Sequence, residues 1–137
     1  MNSIFPVVSK QQFVVHTYDI DAAGHVNNTV YVRWLEQLRN KIVEQVFGFK
    51  NLLAQRYYFV VAAGDLRYRK QITLFEEPIG EMILESYTRG IFILKAVLTV
   101  NGQKVFTGVQ KCVLMNLEKG EMYKGSLTDF PASQTII

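Results

Sequence analysis

The chain has 137 residues, enough to bury one core without disulfide or metal staples, and 49% hydrophobic against 20% charged residues excludes a disordered chain. A formal net charge of +3 is spread rather than massed, and with neither a zinc-finger spacing nor a basic helix it excludes a nucleic-acid-binding module. No window reaches the roughly 18 apolar residues of a membrane span, and Met-Asn-Ser-Ile-Phe-Pro lacks the basic residues and apolar run of a signal peptide, so the expectation is a single cytoplasmic domain over residues 1–137 with no membrane partner.

In chain order, the first predicted element is a strand over Gln12–Tyr18, with Phe13, Val15 and Thr17 on one face and Val14, His16 and Tyr18 on the other. After a loop from Asp19 to Asn27, Val30, Trp34, Leu38, Ile42 and Val46 recur every four residues with Leu35 beside them. That stripe predicts a helix over Asn28–Phe47, about 30 Å long at about 1.5 Å per residue. Asn27, Asn28 and Thr29 are all suitable N-caps, and Gly48 is placed to end the helix in a left-handed conformation.

The remainder reads as strands: Tyr57–Ile72 with a bend at Gly64, then Glu81–Thr88, Ile91–Val100 and Gln103–Leu117, with Asn101-Gly102 as a tight hairpin turn. Ile91–Val100 is apolar on both faces, so one face packs the helix and the other calls for a cover, for which a subunit partner is expected. Cys112, the only cysteine, lies in an apolar strand, reads as a small buried side chain, and cannot form an intramolecular disulfide. One long helix with about five antiparallel strands is an α+β layout in which the sheet wraps the helix.

The junction from Tyr18 to Asn28 carries the chemistry. It gathers Asp19, Asp21, Gly24, His25, Asn27 and Asn28 between the first predicted strand and the helix. The first N–H groups of a helix are unpaired and its dipole is positive there, so an aspartate beside a helix N-terminus is where a carbonyl can be both attacked and polarised. Taken alone, an aspartate in such a loop is a turn or capping residue.

The run Tyr18-Asp19-Ile20-Asp21-Ala22-Ala23-Gly24-His25-Val26-Asn27-Asn28, followed by Tyr31, Glu36 and Arg39, resembles the signature of hotdog-fold thioesterases of the 4-hydroxybenzoyl-CoA type. It is also similar to acyl-carrier-protein thioesterases, which share a His-Val-Asn-Asn helix entry. The resemblance implies a curved antiparallel sheet around one helix, two subunits forming a continuous sheet, active sites at their interface, and dimers that can pair into tetramers. It implies hydrolysis of an acyl-CoA or acyl-carrier-protein thioester, with Asp21 as the catalytic carboxylate and the Asn28 backbone N–H as the group that polarises the carbonyl.

Within that frame Asp19 is expected to make a hydrogen bond inside the loop, and Gly24 to supply a positive φ or room for the substrate. Asn27 is assigned to capping and substrate contact. His25 is a candidate catalytic residue, since it resembles the histidine that acyl-carrier-protein thioesterases use with an Asp and an Asn, but Ala23 stands where that asparagine would be, which opens two other roles: positioning the substrate or Asp21, or satisfying the loop backbone. Tyr31 is a candidate for the acyl pocket, although its helical spacing makes it a core residue first. Glu36 and Arg39, three apart, are expected to pair, and Glu36 is the alternative carboxylate. Arg67 and Arg69 alternate onto one strand face and are the candidates for the phosphates of coenzyme A, or else solubilising charges.

With no Cys/His cluster and no glycine-rich phosphate loop in the sequence, no metal and no cofactor is expected. Two other readings of the same fold are an acyl-thioester dehydratase or hydratase, against which His25 is followed by Val-Asn-Asn rather than Phe-Pro, and a non-catalytic acyl-CoA-binding module.

Overall fold

In the computed structural model, which describes residues 4–131, the chain folds as a curled antiparallel sheet closed around one long helix. The elements are β1 (Val7–Gln12), a 3-10 turn (Thr17–Asp19), α1 (Asn28–Val46), α2 (Phe49–Ala54), β2 (Tyr57–Tyr68), β3 (Ile79–Thr88), β4 (Ile91–Val100), β5 (Gln103–Asn116) and the two-residue β6 (Glu121–Met122). The strand order β1-β3-β4-β5-β2, with β6 beside β5, leaves β1 and β2 as the two long edges. This is the expected α+β hotdog layout.

Helix α1 forms where its stripe predicts. Val30, Trp34, Leu35, Leu38, Ile42 and Val46 are all buried against the inward side chains of the sheet, and β4 buries Phe92, Leu94, Ala96, Leu98 and Val100 on that face as read from the sequence. Asn101 and Gly102 turn with φ of 52° and 77°, the left-handed pair that matches strand twist. The helix stops at Val46 with Phe47 as its C-cap, and Gly48 follows at φ 77°. Cys112 is fully buried. No helix among the described residues is long and apolar enough to cross a membrane.

Three expectations shift. The first strand is not Gln12–Tyr18 but Val7–Gln12, which pairs with β3 until the Phe13 N–H meets the Pro78 carbonyl at 2.8 Å; Pro78 has no N–H to return, and the ladder ends there. Phe13 and Val15 still bury their side chains as extended chain before the 3-10 turn. Strand β2 ends at Tyr68 rather than Ile72, because the N–H groups of Arg69 and Lys70 both turn onto the Val105 carbonyl. Its irregularity falls between Val61 and Ala63, while Gly64 stays in register with Gln110.

The two edges are treated differently. Gln37, Lys41 and Gln45, four residues apart on one flank of α1, reach Gln11, the Lys10 carbonyl and the Val8 carbonyl respectively, so the helix guards β1. No comparable row covers β2 among the described residues, and Tyr58 and Val61 are exposed along it. On the buried side of β1, the Ser9 hydroxyl donates to the Leu38 carbonyl at 2.8 Å.

At Gly80 the sheet backbone lies tight against side chains of α1 and its neighbours. A Cβ there would lie 2.6 Å from the Phe13 ring, 2.9 Å from Leu98 and 3.0 Å from Leu38, and the Phe13 ring is stacked on Trp34 with centroids 5.0 Å apart, so it has no room to withdraw. Gly80→Ala is therefore expected to destabilise the protein by roughly 1–3 kcal/mol in a denaturant titration, without changing the slope of the transition.

Candidate active site

The sequence between the 3-10 turn and α1 folds as a tight hairpin. Ile20 and Val26 form an antiparallel bridge, the Asp21 N–H donates to the His25 carbonyl at 2.9 Å, and the Gly24 N–H returns to the Asp21 carbonyl at 3.0 Å. Gly24 takes φ +84° at the tip with open space around it, which is the positive-φ role open to it in the sequence. The hairpin is tied down at its base: Asn27 N–H donates to the Asp19 carbonyl at 2.9 Å, and Val26 N–H to the Ile72 carbonyl at 2.8 Å.

Asp21 is exposed and asymmetrically held. Its Oδ1 accepts the N–H groups of Ala23 at 2.9 Å and His25 at 3.2 Å, whereas Oδ2 has no hydrogen-bond partner among the described residues. One oxygen is fixed and the other faces solvent. The His25 backbone is thus committed to the turn on both its N–H and its carbonyl, and its half-buried imidazole makes no hydrogen bond to Asp21 among the described residues.

Of the three possible caps, Asn27 takes the position: its Oδ1 accepts the N–H and the hydroxyl of Thr29, both at 3.0 Å, and its carbonyl receives the Val30 N–H at 2.9 Å. This leaves the N–H of Asn28, the first helical residue, without a partner among the described residues. An unpaired N–H at the positive end of α1 and a half-free carboxylate are thereby fixed in one short segment.

Asp19 makes the loop hydrogen bond expected of it and more. It is only 3% exposed, and its Oδ2 accepts the His16 N–H at 2.9 Å while Oδ1 meets the Arg33 guanidinium at 3.4 Å. A polar cleft of about 300 Å³ opens beside this pair, between β1 and α1. Arg33 gives no signal in the sequence because its partner lies 14 residues back in a loop.

The other candidates are placed elsewhere. Tyr31 is buried in the core between Trp34, Tyr68 and Phe106, and burial pushes its phenol up from the ordinary range. Arg39 does not pair with Glu36; it donates to Gln110 Oε1 at 3.0 Å, across the interior. Glu36 lines a separate groove of about 260 Å³ between α1 and the open edge of β2. Eight residues of helix put it about 12 Å along the axis from Asn28, so it does not share the Asp21 site within one subunit. Arg67 is tied to Asp65 at 3.3 Å with both groups largely exposed, and Arg67 and Arg69 flank Tyr68, whose ring abuts Tyr31 at 4.9 Å, so both lie at the helix-entry end of the sheet. Burial pushes the Cys112 thiol up to about 11, with the Arg39 charge acting the other way, so it stays protonated and enclosed.

One long helix enclosed by a curled antiparallel sheet is the hotdog fold, here of the thioesterase class. The chain belongs to the thioesterase-like superfamily, whose sequence profile matches residues 15–135. It is 27% identical over 122 residues to the long-chain acyl-CoA thioesterase FadM of Escherichia coli K12, covering 86% of this chain and 92% of that protein. Among solved structures it is similar to the probable thioesterase YbaW from Escherichia coli, with a TM-score of 0.76, 26% identity, and 84% and 88% of the two chains covered. A thioesterase from Thermus thermophilus complexed with coenzyme A and Zn shares the fold at a TM-score of 0.74 and 24% identity over 86% of this chain and 90% of that one.

Replacing Asp19 removes the acceptor for a backbone N–H and for a guanidinium from a buried position. Asp19→Ala is expected to lower stability by about 1–3 kcal/mol and to make amide exchange faster at His16 and Asn27, as read by hydrogen exchange.

Proposed function

We propose that this protein hydrolyses an acyl-CoA thioester to the free carboxylic acid and coenzyme A, using Asp21 as general base or nucleophile and the Asn28 backbone N–H as oxyanion donor. The observation that carries this reading is the pairing, in one braced segment, of a carboxylate with one open oxygen and an unpaired helix N-terminal N–H. The likeness to a protein described as a long-chain acyl-CoA thioesterase supports the choice of substrate class.

In the base form of the reaction, Asp21 takes a proton from water as the water oxygen bonds to the thioester carbon. The carbonyl oxygen becomes an oxyanion facing the Asn28 N–H and the positive end of α1, and collapse of the intermediate breaks the carbon–sulfur bond, releasing a thiolate that recovers the proton. In the nucleophile form, Asp21 attacks the thioester carbon, the carbon–sulfur bond breaks to release coenzyme A as a thiolate that takes up a proton, and water cleaves the resulting mixed anhydride to the free acid and the Asp21 carboxylate. Asn27 holds the helix entry in place, Gly24 keeps the approach clear, and His25 positions Asp21 through its backbone.

The protein is further proposed to act as a homodimer in which the open edge of β2 pairs with its own copy. The guarded β1 edge and the unguarded β2 edge support that choice.

Thiol release from an acyl-CoA panel tests the reaction. Asp21→Ala, checked for folding, is expected to lose at least about 100-fold in kcat, whereas Asn28→Ala, which keeps the backbone N–H, is expected to lose little. Full activity in Asp21→Ala would remove the carboxylate from the mechanism. Neutralising Arg67 and Arg69 together is expected to raise KM for acyl-CoA several-fold and flatten its dependence on ionic strength, with kcat unchanged; identical kinetics would take both residues out of the coenzyme A site.

A further inference from the structure

The connection between β2 and β3 contains the least economical residue of the fold. Thr73 to Glu76 form a turn, closed by the Glu76 N–H to the Thr73 carbonyl at 3.2 Å and by Glu76 Oε1 accepting the Thr73 N–H at 2.7 Å. At its tip Phe75 has φ +77° and is 90% exposed. A bulky L-residue in the left-handed region is strained, and a phenyl ring in water gains no burial, so the isolated subunit obtains nothing from phenylalanine that glycine would not give with less strain. The other non-glycine residues with positive φ among those described are Arg56, Arg89 and Asn101, all polar.

The turn is also braced against the candidate site. Ile72, fully buried, gives its carbonyl to the Val26 N–H two residues before Asn28 at 2.8 Å, and the Ile72 backbone and the Glu76 charge both act on the Tyr31 phenol in the first turn of α1. Leu74 is partly buried and Pro78 buried, while Phe75 stands exposed with the polar Thr73 and Glu77 on either side of it. Phe75 is three residues from Ile72, which keeps its backbone within about 10 Å of chain of the residue bonded to Val26.

We propose that Phe75 is a specificity-determining residue: its ring packs on the apolar acyl chain of a thioester bound at the helix entry. The proposal rests on the assignment of Asp21 and Asn28 above. An acyl chain beyond its carbonyl carries no hydrogen-bonding group and can be selected only by apolar surface; the cleft between β1 and α1 mixes polar walls from Asp19, Arg33, His16 and Gln37 with apolar ones from Phe13 and Trp34, and the Phe75 ring adds an exposed apolar face outside it. A turn closed with two hydrogen bonds holds the backbone that presents this ring, which reduces the ordering left to do on binding to that of the side chain.

The test compares the native enzyme with Phe75→Gly and Phe75→Leu on straight-chain acyl-CoAs of increasing length. Phe75→Gly is expected to melt at a higher temperature than the native protein while losing kcat/KM, with the loss below about twofold for acetyl-CoA and rising to about tenfold or more for the longest chain, mainly through KM. Phe75→Leu should recover part of the long-chain activity. An equal loss at every length, no loss at any length, or a fall to a smaller species in sedimentation of the variants would overturn the proposal, the last by making Phe75 a subunit contact. If the native protein turns over no member of the panel, the thioesterase assignment fails and this proposal with it; an active native enzyme with a flat Phe75 profile overturns this proposal alone.

Discussion

Asn27 is the constraint on which the rest of the site depends. Its N–H holds the Asp19 carbonyl, its side chain caps Thr29 and its own carbonyl receives the first helical hydrogen bond, so one residue closes the hairpin, starts α1 and fixes the angle between them. Because three of its polar groups are used, the neighbouring Asn28 N–H is left over, and the leftover donor is what gives the helix entry its electrostatic character. The Asp21 turn then has only one place to be. Its base is bonded both to the segment before the helix and to Ile72 on the far connection, and the carboxylate is held by N–H groups within the hairpin itself.

Below the hairpin, Asp19 and Arg33 supply the support. A buried carboxylate that accepts a backbone N–H fixes the 3-10 turn, and the half-exposed Arg33 from the second turn of α1 pulls that turn against the helix. Breaking such a pair from one side costs more than the pair is worth, since the remaining group is left desolvated without a partner. The rigid part of the site is therefore the part hidden from solvent, while Asp21, Gly24 and Asn28 at the surface are free to meet a substrate.

What is legible in the sequence is local. The four-residue stripe of α1, the short near-continuous apolar run of β4 and the Asn101-Gly102 turn each depend on neighbours a few residues apart, and they place those elements almost to the residue. Strand β1 escapes such a reading because its buried member is Ser9, a polar residue satisfied by a helix carbonyl 29 positions away, while Phe13 to Tyr18 alternates well yet finds no partner strand. The Asp21–Asn28 segment is visible through its motif, but what holds it is not: Arg33 and Ile72 enter by contacts across the fold. In the same way Arg39 bonds Gln110, 71 residues on, where helical spacing points to Glu36. The turn at Phe75 contains no glycine, proline or asparagine, so nothing in Thr73-Leu-Phe-Glu announces a left-handed backbone.

The three flanks of α1 have different tasks, and their arrangement links the chemistry to the proposed assembly. One flank fills the core; a second, through Gln37, Lys41 and Gln45, guards β1; the third, bearing Glu36, Arg39 and Asn40, faces a groove whose other wall is the unguarded β2. An edge strand of twelve residues left open beside polar helix side chains is a poor surface to leave in water. If β2 pairs with its own copy, the groove gains a wall from the neighbouring subunit and Glu36 and Arg39 lose access to bulk solvent. The charges there would act at lower dielectric than they do in an isolated subunit, so the same contact that continues the sheet would also strengthen the electrostatics along α1.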